Sequence, residues 1–84
     1  MPYPPHRIKF LIYETGTTPA ELAEKWHVRP EEMSMCIQQV PGRVYPEIRL
    51  LICELINRSV GEVFGEHPLT TEMLRGKEKQ QGAA

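Results

Sequence analysis

Two short amphipathic helix patterns, separated by a tight joint, constrain the fold of this 84-residue chain more than any other feature. The first pattern spans residues 17–28 and the second spans residues 29–40. Thr18 and Glu21 have the spacing of a capping box, in which two side chains satisfy free N–H groups at a helix start. Pro19 falls at the first helical position, where its missing N–H costs nothing. The sequence therefore predicts that a helix begins at Pro19.

A small residue lies in the middle of this first helix pattern. Leu22 and Trp26 supply apolar contacts at helical spacing on either side of Ala23, whose small side chain lets a second helix cross closely. Val28 is the apolar residue of the joint, and Pro30 starts a second helix at once. Two helices packed through a small residue and joined by about three or four residues form a helix-turn-helix motif, whose second helix is built to enter a DNA major groove.

Composition limits the protein to one small domain of a few possible classes. A chain of 84 residues with 40% hydrophobic content can bury one core. The net charge of −1 argues mildly against strong nucleic-acid binding by a monomer, because isolated DNA-binding domains are usually basic. Cys36 and Cys53 fall inside helix patterns, and no signal-peptide pattern occurs, which predicts reduced thiols in a cytoplasmic protein. We expect no membrane span, metal or cofactor, since no apolar run approaches ~20 residues and no Cys or His pair has ligand spacing.

The remaining patterns predict an all-α fold of five helices. No strand pattern, repeat or nucleotide-binding glycine motif occurs in the sequence. The first predicted helix runs from about Pro5 to Tyr13, and the next two are the patterns already described. Pro46 opens a fourth helix, from Glu47 to about Asn57, and the capping box of Ser59 and Glu62 starts a short fifth helix that carries Val60, Val63 and Phe64. In terms of organisation, we expect an extended N-terminal arm (1–7), a helix-turn-helix domain (8–66), a short C-terminal helical segment (67–75) and a disordered tail (76–84).

This order of elements has a family resemblance. Residues 8–64 resemble the lambda-repressor-like helix-turn-helix domains of phage repressors and Cro-type regulators, and are similar to the small regulators of Mu-like phages, including the Ner type and the phage-associated regulator family of phage BcepMu. The matching positions are Thr18, Leu22, Ala23, Val28, Met33 and the closing run Val60-Gly61-Glu62-Val63-Phe64. The resemblance implies a sequence-specific transcriptional regulator that binds double-stranded DNA and uses no cofactor.

The chain departs from this family in its turn and at the front of its second motif helix. The family usually has Gly in the turn, where this chain has His27; His tolerates the left-handed backbone region better than branched residues do. Glu31 and Glu32 introduce negative charge where phosphates or base edges would lie. They are explained either as complements of the helix dipole or as acceptors for cytosine N4.

The second motif helix, about residues 30–40, is the predicted recognition helix. Its inward residues are Met33, Cys36, Ile37 and Val40. Glutamines suit bidentate contacts with adenine, and a methionine suits a thymine methyl group, although a merely solvated polar face is the alternative. The predicted base-reading residues are Glu31, Ser34, Met35, Gln38 and Gln39. The predicted phosphate-binding residues are Thr17 and Thr18, at a helix N-terminus, together with Lys25, Arg29 and Arg43.

A second surface is predicted on the fourth helix. The inward stripe of the fourth helix is Ile48, Leu51, Ile52 and Leu55, at helical spacing. An apolar patch on the opposite face is a candidate oligomer interface, although the C-terminal segment of the same chain could cover it instead. Its residues are Leu50, Cys53, Leu69, Met73 and Leu74. An oligomer suits a protein with few basic residues, because each copy adds its own phosphate contacts.

We consider three classes of function, of which these patterns favour the first, allow the second and give no support to the third. The first is a DNA-binding regulator of phage or prophage origin that acts as an oligomer. The alternative is a protein–protein interaction module that kept the fold and lost DNA binding, for which the acidic start of the recognition helix is the best argument. We expect no enzymatic activity and no small-molecule substrate, because no nucleophile and base occur in a catalytic arrangement.

Overall fold

The computed structural model describes residues 2–73, and every regular element in that range is helical, which confirms the all-α prediction. None of the helices in the same range combines the length and the apolar run that crossing a membrane requires. Leu74 and the predicted tail at 76–84 lie outside the described residues. The helices are α1 (Pro5–Glu14), α2 (Pro19–Lys25), α3 (Pro30–Gln38), α4 (Pro46–Ile56), α5 (Val60–Val63) and α6 (68–73).

Prolines and left-handed residues set the helix boundaries. Each of the four longer helices begins with a proline, whose fixed φ is already helical and whose missing N–H would have no partner there. Gln39 and Asn57, both with φ of 57°, end α3 and α4 in the left-handed conformation. His27 lies in the turn between α2 and α3 with φ of 56°, so the predicted left-handed turn at this histidine is confirmed.

The core gathers one apolar face from each of the first three helices. Helix α3 packs against α2, α1 and α4, and its buried residues Met33, Cys36 and Ile37 are those predicted from the sequence. Val40, also predicted to face inward, is only half-buried. The other core residues of these helices are Ile8 and Ile12 on α1 and Leu22 and Ala23 on α2.

Helix α4 is buried on more than one side, and this overturns the predicted oligomer patch. Leu50 and Cys53 are only 8% and 3% exposed, and α1, α3 and α5 all pack against α4, whose buried residues extend beyond one stripe. Met73 packs against this core, whereas Leu69 is 49% exposed. Leu51 and Leu55, predicted to face inward, are only half-buried. The four residues of the predicted oligomer interface that the structure describes, Leu50, Cys53, Leu69 and Met73, therefore do not form one exposed surface.

The N-terminal segment is extended but is not a free arm. Tyr3 is 8% exposed, and its N–H donates to the Val63 carbonyl at 2.8 Å. The Tyr3 hydroxyl donates to the Glu62 carboxylate and accepts from Arg58 Nη1 at 2.9 Å. The hydrogen bond from Tyr3 to Glu62, followed by one from Arg58 Nη1 to Glu62 Oε2 at 3.1 Å, lowers the pKa of Glu62. The predicted boundary between an arm (1–7) and the domain is wrong, since Tyr3 belongs to the core and α1 begins at Pro5.

A candidate nucleic-acid interface

The turn between α2 and α3 is held by backbone hydrogen bonds from its own residues. The Val28 N–H donates to the Ala23 carbonyl at 2.8 Å, and the His27 N–H donates to the Glu24 carbonyl at 3.3 Å. These bonds satisfy carbonyl groups that the end of α2 would otherwise leave free. Because Ala23 is buried and Val28 half-buried, the turn also closes against the core. The orientation of α3 relative to α2 is therefore fixed by local geometry.

Helix α3 presents a polar strip to solvent, opposite its buried face. Glu31, Ser34 and Gln38 are exposed, as predicted. Gln38 Nε2 donates to Ser34 Oγ at 3.3 Å, a contact across one helical turn that aligns the amide with the helix. The strip therefore offers a carboxylate, a hydroxyl and an amide, which are groups that can hydrogen-bond to base edges.

Two of the predicted base-reading residues are placed differently by the structure. Gln39 ends α3 in the left-handed conformation, and its Nε2 donates to the Tyr3 carbonyl at 2.7 Å. This long-range bond ties the Gln39 amide to the N-terminal segment, so the residue anchors the end of α3 and does not extend the exposed strip. Met35 is half-buried and lies at the edge of the strip.

The start of α2 has fewer free hydrogen-bond donors for a phosphate than the sequence predicted. Thr18 Oγ1 accepts a hydrogen bond from the Glu21 N–H at 3.2 Å, which confirms the bond that the Thr18 side chain makes in a capping box. Thr17 Oγ1 donates to Glu21 Oε2 at 3.1 Å. Pro19 has no N–H, so within residues 19–21 only Ala20 keeps a donor for an anion. The Glu21 carboxylate would also repel a phosphate. The prediction that Thr17 and Thr18 bind phosphate is weakened for these reasons.

Basic residues flank the polar strip. Lys25 in the last turn of α2, Arg29 at the N-cap of α3 and Arg43 in the segment after α3 are all exposed, as phosphate-binding residues must be. Helix α1 adds Lys9 and Tyr13, which line a groove of about 310 Å³ together with Thr18, Ser34 and other residues of α2 and α3.

Tyr13 is a residue of this surface that the sequence patterns did not predict. The tyrosine is 53% exposed and lies one helical turn after Lys9, on the side of α1 away from buried Ile8 and Ile12. The signal that could have found it is this spacing, since an aromatic residue outside the apolar stripe of an amphipathic helix is left for solvent or a partner.

Behind the strip, two thiols and an arginine share the interior. Burial raises the pKa of Cys36 to about 11, with a smaller opposing effect from the Arg49 guanidinium. Burial also raises the pKa of Cys53 to about 12. Arg49 is only 7% exposed and stacks over the Phe64 ring at 5.0 Å. At neutral pH both thiols are protonated, so this cluster supports α3 and carries no nucleophile.

Comparison of the whole chain with models of protein families, with curated proteins and with solved structures finds no significant match.

Proposed function

We propose that this protein is a sequence-specific DNA-binding transcriptional regulator of phage or prophage origin, with a lambda-repressor-like fold. The observation that supports the proposal best is the polar strip of Glu31, Ser34 and Gln38, on a helix whose other face is buried. Helix α3 follows α2 through a left-handed turn at His27, which is the relation that a recognition helix has to its supporting helix.

In this proposal α3 lies in the major groove and its strip reads base edges. Gln38 suits the N6 and N7 positions of adenine, and Glu31 suits the N4 amino group of cytosine. Ser34 lies one turn before Gln38, where its hydroxyl contacts either type of base. Met35, at the edge of the strip, reaches a thymine methyl group. Gln39 is not part of the reading surface, because its amide is bound to Tyr3.

Phosphate binding comes from the basic residues around the strip. Arg29 lies at the front of α3, Lys25 lies just before the turn, and Arg43 follows the end of α3. On the other side, Lys9 and the Tyr13 hydroxyl adjoin the strip through the groove that they share with Ser34. Contacts of this kind fix the register of a protein on the duplex without reading its sequence.

The acidic charge balance of this protein favours the binding of more than one copy of it to the same DNA site. Residues 1–73 contain seven basic and ten acidic side chains, so one copy neutralises few phosphates and gains little affinity from counterion release. We propose that two or more copies bind together, each adding its own contacts. Since Leu50 and Cys53 are buried, a contact between copies has to use other side chains, among which Phe10 and Leu69 are large, apolar and exposed.

A set of two variants tests α3 as the reader. Gln38→Ala is expected to lose about 1–3 kcal/mol of discrimination at one base pair, because it removes a bidentate contact. Arg43→Ala is expected to weaken binding to all sequences and to lower the salt slope by about 1. Electrophoretic mobility shifts on the DNA that flanks the gene, at two salt concentrations, measure both effects. Unchanged affinity in both variants, with the parent binding the same DNA, means that α3 is not the reader.

The second candidate function is an interaction module that kept this fold and lost DNA binding. It is favoured by the acidic residues near the strip, Glu21, Glu31 and Glu32, which repel phosphates. The double variant Glu31→Gln plus Glu32→Gln removes two of these charges. If the parent and this variant fail to bind any duplex at low salt, the module replaces the regulator as the proposed function. Appearance of non-specific binding in the variant alone shows that the carboxylates are what prevents DNA contact.

A further inference from the structure

A groove of about 470 Å³ lies on the other side of the turn between α2 and α3. It is bounded by the turn, by the first residues of α4 and by the last described residue of α6. Apolar and aromatic side chains make most of its surface, and several of them are only half-buried. Its lining residues are Trp26, His27, Val28, Glu32, Tyr45, Pro46, Glu47, Ile48 and Met73.

The groove combines an apolar lining with acidic residues. Trp26, Tyr45 and Met73 are half-buried and would lose further surface to an apolar occupant. Glu32 from the first turn of α3 and Glu47 from the first turn of α4 bring two carboxylates to the same groove. An occupant that fits this chemistry has an apolar side chain next to basic ones, and a cation beside Trp26 or Tyr45 gains from the ring face as well.

The residues that directly follow the described part of the chain have this composition. Met73 lines the groove, and the next residue is Leu74, followed by Arg75, Lys77 and Lys79. An extended chain advances at most ~3.6 Å per residue, so Arg75 and Lys77 stay within about 15 Å of Met73. Residues 74–84 carry three basic side chains and one acidic one, whereas residues 1–73 have an excess of acidic side chains. Covalent linkage makes the encounter intramolecular, which raises the effective concentration of the segment at the groove.

We propose that residues 74–79 of this chain dock in the groove between Trp26 and the start of α4. Leu74 packs beside Trp26, while Arg75 and Lys77 lie near Glu32 and Glu47. The docked segment covers the apolar lining and offsets two carboxylates, one of which belongs to the start of α3. The proposal depends on the groove and on the sequence after Met73, and it does not require DNA binding.

Trp26 reports on this contact, since it is the one tryptophan in the sequence. The double variant Arg75→Glu plus Lys77→Glu, made in the full chain, replaces attraction by repulsion at the two carboxylates. We expect its Trp26 emission to shift to longer wavelength and acrylamide quenching to rise, because the ring loses its apolar cover and is more exposed to water. High salt should also shift the Trp26 emission of the parent protein to longer wavelength and raise its quenching, since salt screens charge contacts near the surface.

Two matched controls make the result specific. Lys9→Glu plus Arg43→Glu changes the net charge equally at residues that neither line the groove nor adjoin Trp26 in the sequence, and should leave the emission unchanged. Glu32→Lys plus Glu47→Lys, added to the tail variant, should restore the emission and quenching of the parent protein. Circular dichroism confirms that each variant keeps its helices. Identical Trp26 emission and quenching in the parent and the tail variant overturn the proposal and leave the groove to a basic segment of another protein.

Discussion

Helices α3 and α4 begin alike and end up in very different surroundings. Both start with a Pro-Glu pair, and both finish at a left-handed residue. Yet α3 keeps an exposed polar strip opposite its buried face, whereas α4 buries neighbouring positions from Ile48 to Cys53, including the charged Arg49. Three helices pack on each of them, α1, α2 and α4 on α3 and α1, α3 and α5 on α4, so the difference lies in how the neighbours are placed around the helix and not in their number. A helix buried at so many positions serves mainly as scaffold, whereas the polar strip of α3 is left free along the helix to meet a partner.

The largest expected effect is at Leu50 of α4. Leu50→Ala should lower the free energy of unfolding by about 2–5 kcal/mol, since the deletion leaves a cavity in the core. Ser34→Ala, on the exposed strip of α3, should change it by less than about 0.5 kcal/mol. Urea denaturation of the two variants measures the contrast. A small effect at Leu50 would show that this side of α4 is solvated, as the amphipathic pattern alone predicts.

The contact between α2 and α3 is the next test. Ala23→Leu should cost about 1–3 kcal/mol, because a larger side chain in the packed core pushes the helices apart. Ala20→Leu, on the exposed side of the same helix, is the matched control and should be close to neutral. Thermal melts followed by circular dichroism compare them. Equal midpoints for the two variants would contradict close packing at Ala23.

The reactivity of thiols on α3 and α4 distinguishes their buried positions from the exposed strip of α3. Cys36 and Cys53 should react with Ellman's reagent only as fast as the protein opens, whereas a Ser34→Cys variant should add one fast-reacting thiol. The pKa values of Cys36 and Cys53 are raised from 9.0 to about 11 and about 12. Their contribution to stability is therefore full below pH 9 and is lost as the pH rises through those values. Rapid labelling of all thiols at pH 8 would contradict their burial.

The smallest expected effect compares the two helix starts directly. Glu31 and Glu47 each follow the first proline of their helix, and each should stabilise it through the helix dipole. Glu31→Gln and Glu47→Gln should each cost about 0.3–1 kcal/mol at low salt and less at high salt. Denaturation at two salt concentrations measures this. A distinctly larger cost at Glu47 would indicate that its carboxylate has a second partner, as the docked segment requires.

Local patterns are enough to predict much of the α2–α3 region. The Thr18 cap, the proline starts and the left-handed His27 involve only residues a few positions apart, so the sequence contains the whole interaction. The exposed positions of Glu31, Ser34 and Gln38 follow from helical periodicity for the same reason. α6 (68–73) overlaps the C-terminal helical segment predicted at 67–75.

The errors occur where distant parts of the chain meet. Periodicity places Gln39 on the reading surface, but its amide bonds to Tyr3, a residue 36 positions away. Composition assigns Tyr3 itself to a free arm, although its N–H binds the carbonyl of Val63. Leu50 falls on an exposed face in the helical pattern because periodicity predicts one buried stripe and gives no information on where the neighbouring helices lie around it.

By itself, therefore, the sequence determined the helical class, the proline starts of the four longer helices and the polar character of the outer face of α3. Capping, proline geometry and helical periodicity act over a few residues and need no knowledge of the fold. Only the tertiary structure decided that α4 is surrounded, that Gln39 is an anchor and that Glu32 and Glu47 share a groove with Trp26. These features depend on contacts between residues far apart in the chain, which form only when the helices pack into one core.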